Sequence, residues 1–135
     1  MADSGLASLD VMIARLRTLG GGDVAQRVAV RAAPLVDAEL KRTAAAGTTP
    51  DGKAWKPKKD GGRPLVNAAA AIATRSAGNY VLALLKGPTV YHHLGLGGKP
   101  HRQVLPQSGT IPSGIAKVLE RAARAVLREI LEGGR

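Results

Sequence analysis

A chain with no phenylalanine and no cysteine, and with only one tryptophan and two tyrosines among its 135 residues, has to build its interior from alanine, valine, leucine and isoleucine. Such side chains bury less apolar surface apiece than aromatic rings, so the core they make is thin. The length suits a single domain with one modest core, and a thin core favours stabilisation by neighbouring subunits over a solitary monomer. Without cysteine, disulfides, thiolate metal sites and thiol nucleophiles are excluded at once. No apolar run approaches the ~20 residues that a membrane-spanning helix needs. Met1 to Gly5 also lack the basic start and apolar stretch of a secretion signal. The expectation is a soluble chain, made and used in cytoplasm, with no membrane partner.

Apolar periodicity gives the coarse organisation. Leu6, Leu9, Ile13 and Leu16 recur at helical spacing and predict a helix over about residues 5–19, ended by Gly20-Gly21-Gly22. Asp23 with Gln26 three positions on reads as a capping box, opening a second helix to about Ala46 with Val24, Val28, Ala32, Leu35 or Val36, and Glu39 or Leu40 on its stripe. Pro34 inside that pattern predicts a bend or a split. Ala68–Thr74 reads as a short helix. Tyr80–Leu85 and Thr89–His93 read as strands joined through Lys86–Pro88, and a third strand is expected over Gln103–Leu105. The last element has the clearest pattern: Ile115, Val118, Leu119, Ala122, Val126 and Ile130 form one stripe over residues 113–132, widened by Leu127 and Leu131 at the margin of an expected subunit contact. The chain thus divides into a helical N-terminal region (1–46), a basic loop (47–65), a small sheet region (66–112) and a C-terminal helix (113–132).

Charge is concentrated in the middle. Residues 47–112 carry nine basic and two acidic groups, net +7, out of a formal charge of +10 for the whole chain. Much of that lies in Thr49-Pro50-Asp51-Gly52-Lys53-Ala54-Trp55-Lys56-Pro57-Lys58-Lys59. Thr-Pro-Asp-Gly fits a tight turn, with Pro50 presetting φ and Gly52 free to take φ > 0. A lone Trp between prolines and lysines suggests a docking loop, with Trp55 anchoring an interface rather than the fold and Trp55→Ala leaving the monomer folded. Lys53, Lys56, Lys58, Lys59 and Arg63 are expected to meet either DNA phosphates or an acidic partner surface, although solubility alone would use such charge.

Catalytic and metal chemistry find little support. Adjacent histidines on a strand point to opposite faces, so His92 and His93 would not share an ion, and one buried, hydrogen-bonded His with one exposed His is the expectation. No Asp or Glu lies between residues 61 and 119 to complete a zinc set or a triad with Ser76, Ser108 or Ser113. Gly95-Leu96-Gly97-Gly98-Lys99 is followed by Pro100 rather than Ser or Thr, which makes it a poor phosphate loop. No enzyme activity, cofactor or metal is expected. A small nucleic-acid-binding protein acting alone is the serious rival class, with Trp55 as a stacking surface among the lysines and Arg121, Arg124 and Arg128 on the last helix. Glu120, Glu129 and Glu132 dilute the field of that helix.

Several short motifs, taken in order, resemble the tailed-phage virion morphogenesis, or tail-completion, family. Thr49-Pro50-Asp51-Gly52 with Trp55 and Pro57 resembles that family's "(T/S)PDG-x-x-W-x-P" pattern. Arg63-Pro64-Leu65-Val66 is similar to the start of its "pLxxTGxLxxSI" stretch, and Tyr91-His92-His93-Leu94-Gly95 to "YAxxHQxG". A form of "PxRPFL" stands at Pro100–Pro106, and Ile111-Pro112 precedes a closing helix. The resemblance covers roughly residues 45–130. It implies an α+β protein with N-terminal helices and a long C-terminal helix packed on a small antiparallel β-sheet, which agrees with the element order above. It further implies a non-enzymatic virion protein of the neck or tail top, forming a homo-oligomeric ring, sixfold or twelvefold, among other neck and tail proteins. In such a ring Trp55, Tyr91, Leu127 and Leu131 would serve interfaces, and the basic loop would face packaged DNA or a neighbouring protein.

Overall fold

The structure, a computed structural model, describes residues 22–96, 98, 100–106 and 111–133, with the side chains of residues 22, 131 and 133 excepted. The helix expected over residues 5–19 lies outside the described residues. Helix α1 (Gly22–Ala45) leads into the basic loop, followed by a 3₁₀ turn (Ala69–Ala71), strands β1 (Ile72–Ala77) and β2 (Tyr80–Leu85), helix α2 (Thr89–Leu94) and helix α3 (Ser113–Gly133). The fold is α+β: α1 packs against α3 on one side and against the antiparallel β1–β2 hairpin on another.

α1 buries Val24, Val28 and Ala32 of its predicted stripe, and of the two open positions it buries Val36 and Leu40, with Leu35 and Glu39 half-buried. One detail of that prediction is corrected. Gly22 is already helical, so Asp23 lies in the first turn, where its charge favours the positive end of the helix dipole, and does not act as a cap. Of the bend or split expected at Pro34, the helix shows no split. Pro34 is exposed, so water can serve the carbonyl that loses its N–H partner. Gly47, with φ 75°, ends the helix in left-handed backbone, its N–H donating to the Ala44 carbonyl at 3.1 Å.

The sheet region departs most from the sequence reading. Only Ala69–Ala71 of the expected 68–74 helix is helical, and Ile72 begins β1. β-branched Ile72 and Thr74 sit opposite Leu85 and Ala83, and this ladder outweighs the helix propensity of the alanines before it. The hairpin therefore joins Tyr80–Leu85 to the segment preceding it, through Gly78-Asn79. Gly78 at φ 58° occupies the first central position, as a type II′ turn requires. Thr89–His93 is helical rather than extended: Pro88 supplies a helical φ of −61° at the N-cap, and Gly95 closes the turn at φ 69°. Gln103–Leu105 forms no strand, although Val104 is buried.

Two apolar clusters result. The larger joins Val36, Leu40 and Ala44 of α1 to Trp55, Ile72, Val104 and Ile115, with Val118, Leu119 and the inner β2 residues Val81, Ala83 and Leu85 packed around it. The smaller lies between α1 and α3, where Val24 and Val28 meet Ala123 and Val126, flanked by Leu127 and Ile130. Leu40, 1% exposed, is at the centre of the larger cluster. Leu40→Ala should lower unfolding free energy by about 2–5 kcal/mol, the usual cost of such a cavity, as read from denaturant midpoints. A change below about 1 kcal/mol would mean that this cluster is not the core.

Candidate functional site: a pinned basic loop and an open sheet face

The basic loop is built from two tight turns. In the first, Gly52 N–H donates to the Thr49 carbonyl at 2.9 Å, with Gly52 at φ 91°, and Thr48 bridges to Ala54. This is the Thr-Pro-Asp-Gly turn expected from the sequence. In the second, Gly61 N–H donates to the Lys58 carbonyl at 2.8 Å and Lys58 N–H to the Gly62 carbonyl at 3.0 Å, while Asp60 Oδ1 accepts from Gly62 N–H at 2.7 Å. Lys59 and Asp60 stand at its tip, with Lys58 at its base. The side chains of Lys53, Lys56, Lys58, Lys59 and Arg63 are all exposed.

Trp55 does not project from this loop. It is 6% exposed and belongs to the larger core cluster, its indole N–H donating to the Gln103 carbonyl at 2.8 Å. The expectation of an interface anchor is thereby corrected. With no phenylalanine available, the chain's largest apolar side chain fills the space between α1, β1 and the 103–105 segment.

Arg102 provides the second attachment. Its side chain is buried and its Nε donates to the Lys56 carbonyl at 2.7 Å, Nη2 to the Pro57 carbonyl at 3.2 Å, and Nη1 contacts His92 Nδ1 at 2.9 Å. Its own N–H donates to the His92 carbonyl at 2.8 Å. Its partners among the described residues are carbonyls and an imidazole nitrogen, not a carboxylate. Sequence reasoning passed over Arg102 as a structural residue. The available signal was a lone arginine in the proline-bounded stretch Pro100–Pro106, just ahead of the apolar Val104-Leu105.

Both histidines are half-buried on α2, which corrects the expected division into one buried and one exposed. His93 Nδ1 accepts from Val104 N–H at 3.1 Å, a geometry that requires an unprotonated Nδ1. Burial holds the His93 imidazole below the ordinary histidine range, and nearby His101 adds to the effect. Among the described residues no cluster of three or more potential ligands could hold a metal ion.

Of the remaining expected interface residues, Leu127 is half-buried against the α1–α3 cluster, Tyr91 is 54% exposed on α2, and the Leu131 side chain lies outside the described residues. The structure does not bring Trp55, Tyr91 and Leu127 together into one patch. It reveals a different apolar surface: β2 turns Val81, Ala83 and Leu85 inward and leaves Tyr80, Leu82 and Leu84 exposed by 72%, 37% and 46%. Both strand edges are unpaired among the described residues. The signal was the unbroken apolar run Tyr80–Leu85, which marks a strand with apolar side chains on both faces.

Two outcomes follow from this geometry. Trp55→Ala should cost about 3–5 kcal/mol of stability, the range for emptying a buried aromatic site; a variant that unfolds at the same denaturant concentration as the parent would return Trp55 to the surface. The second outcome concerns acid. The unfolded His93 takes up its proton as pH falls through its ordinary value of 6.5, whereas the folded one resists. Stability is therefore full above that value and declines as pH drops below it. Asn at position 93 keeps an acceptor without titrating, so melting temperatures across about pH 5 to 8 should slope less in His93→Asn than in the parent. Equal slopes would assign the acid sensitivity elsewhere.

No protein-family model, curated protein or solved structure matches this chain.

Proposed function

We propose that this chain is a structural subunit of the neck or tail top of a tailed-phage particle, assembling in the host cytoplasm with copies of itself into a ring that completes the tail or joins head and tail around the DNA channel. The observation that carries this reading is the β1–β2 hairpin. A two-stranded sheet that packs one face on α1 but leaves an apolar outer face exposed, with both edges unpaired among the described residues, invites pairing with another chain. A subunit built for assembly uses both features, by extending the sheet or by covering its outer face. The order of motifs from Thr49 to the final helix supports the tail-completion family as its setting.

In this reading the chain performs no reaction of its own. The basic loop meets an acidic face of a neck or tail neighbour, with sequence-independent contact to packaged DNA at most. A sequence-selective nucleic-acid binder would need base contacts, and a single-strand binder stacking surfaces. The indole that might have stacked is buried in the core instead.

Light scattering coupled to size exclusion should show a species several times the 13.9 kDa chain mass, and negative-stain images should show rings. Leu82→Glu together with Leu84→Glu, on the outer sheet face, should shift that species towards monomer while leaving the fold intact. A monomer that binds duplexes tightly and sequence-selectively at high salt would overturn the reading in favour of the nucleic-acid module.

A further inference from the structure

Between the basic loop and α2 lies an open groove of about 560 Å³. Lys58 and Arg63 reach it from the loop, His92 from α2, and the buried Arg102 from beneath, while Leu65 and Val66 give it apolar surface. No carboxylate lines it. Neither Lys58 nor Arg63 forms a salt bridge among the described residues, whereas Arg27, Arg31, Arg42 and Arg124 on the helices each pair with a glutamate. Lys58 and Arg63, two cations without a carboxylate partner among the described residues, thus share a concave site with no acidic lining.

We propose that this groove receives an extended acidic segment of another protein, one that alternates carboxylate and apolar side chains. Charge complementarity selects the acidic half of that description, since like charges without internal partners are satisfied by carboxylates from outside. The apolar half comes from Val66, which is 65% exposed beside the cations. A phosphodiester backbone would pair with the cations but offers nothing to that apolar surface, and no Trp, Tyr or Phe lines the groove among the described residues to stack a base. An extended strand displays its side chains alternately to two sides, so a period of two lets it address a cationic and an apolar wall at once. Leu65 adds a second sign of a built site. At φ 52° it is the only non-glycine residue with positive φ among the described residues, a conformation that a leucine holds only where its surroundings impose it. The groove is firm underneath, because Arg102 fixes the carbonyls of Lys56 and Pro57 on one side and His92 on the other. The proposal rests on the assembly reading only for the identity of the neighbour that would supply the segment.

The test uses the free full chain and a fluorescein-labelled synthetic peptide of alternating Glu and Leu, followed by anisotropy. A Gln/Leu peptide of the same length and a single-stranded oligonucleotide of the same charge serve as comparisons. The parent should bind the Glu peptide at least about tenfold more tightly than the Gln peptide, and Lys58→Glu with Arg63→Glu should lose about tenfold or more, as removal of close interfacial charge pairs does. Lys58→Gln with Arg63→Gln should weaken binding in the same direction with less charge change. Lys117→Glu with Arg121→Glu, an equal charge reversal on α3, should leave the affinity as it is. Equal affinity for the two peptides, or equal losses in the groove and α3 variants, would overturn the proposal. Displacement of the peptide by a lower concentration of the oligonucleotide would also overturn it and make the groove a nucleic-acid site. A chain that stays monomeric yet binds the Glu peptide retires the ring reading alone; rings that ignore the peptide retire the groove alone.

Discussion

The buried guanidinium of Arg102 holds together parts of the chain that have little else in common. A charge removed from water is costly unless polar partners replace the lost hydration. Here two loop carbonyls and the His92 imidazole do so. The two carbonyls belong to the middle of the basic loop and the imidazole to α2, so satisfying one side chain ties that loop, α2 and the path of residues 102–105 together. The neighbouring Trp55 indole is anchored on the same path through the Gln103 carbonyl. Together the two contacts turn a stretch rich in lysine, proline and glycine, which would otherwise sample many conformations, into a fixed platform for exposed cations.

A thin aliphatic core explains why so much depends on these polar contacts. α1 and α3 pack through small side chains, and Ala122 and Ala123 are completely buried, which lets the two helix backbones approach closely but leaves each contact with few methylenes. Gly114 belongs to the same pattern, because a Cβ there would collide with the Glu39 carboxylate. Glu39 in turn is held below the ordinary carboxylate range by its two-point hydrogen bonding to Arg42, against the opposing push of its partial burial.

Sequence periodicity located the parts whose pattern is long and self-consistent. Both long helices and their stripes were legible from apolar spacing, as was the Tyr80–Leu85 strand from its apolar run. Short segments were misread where local propensity and tertiary context disagree. Thr89-Val90 looks extended by residue type, yet Pro88 and Gly95 bracket it into one helical turn. The alanines before Ile72 look helical, yet strand pairing claims the residues that follow. The position of Trp55 was misread for a different reason. Its neighbours in sequence are those of a surface loop, and only the distant Gln103 carbonyl and the hydrophobic side chains of α1 and β1 make its site an interior one. Of the candidate site, the cations were legible and their scaffold was not.

The register of the hairpin places Arg75 directly across from Leu82, in the middle of the exposed apolar face. Two copies meeting through that face about a twofold axis would bring their arginines towards one another, with like charges approaching as the apolar surface dehydrates. A contact that sets the face against a different surface of the next copy carries no such penalty. In the proposed assembly this one cation would disfavour closed, self-complementary pairs through the sheet face and favour head-to-tail succession, in which one kind of contact repeats from subunit to subunit.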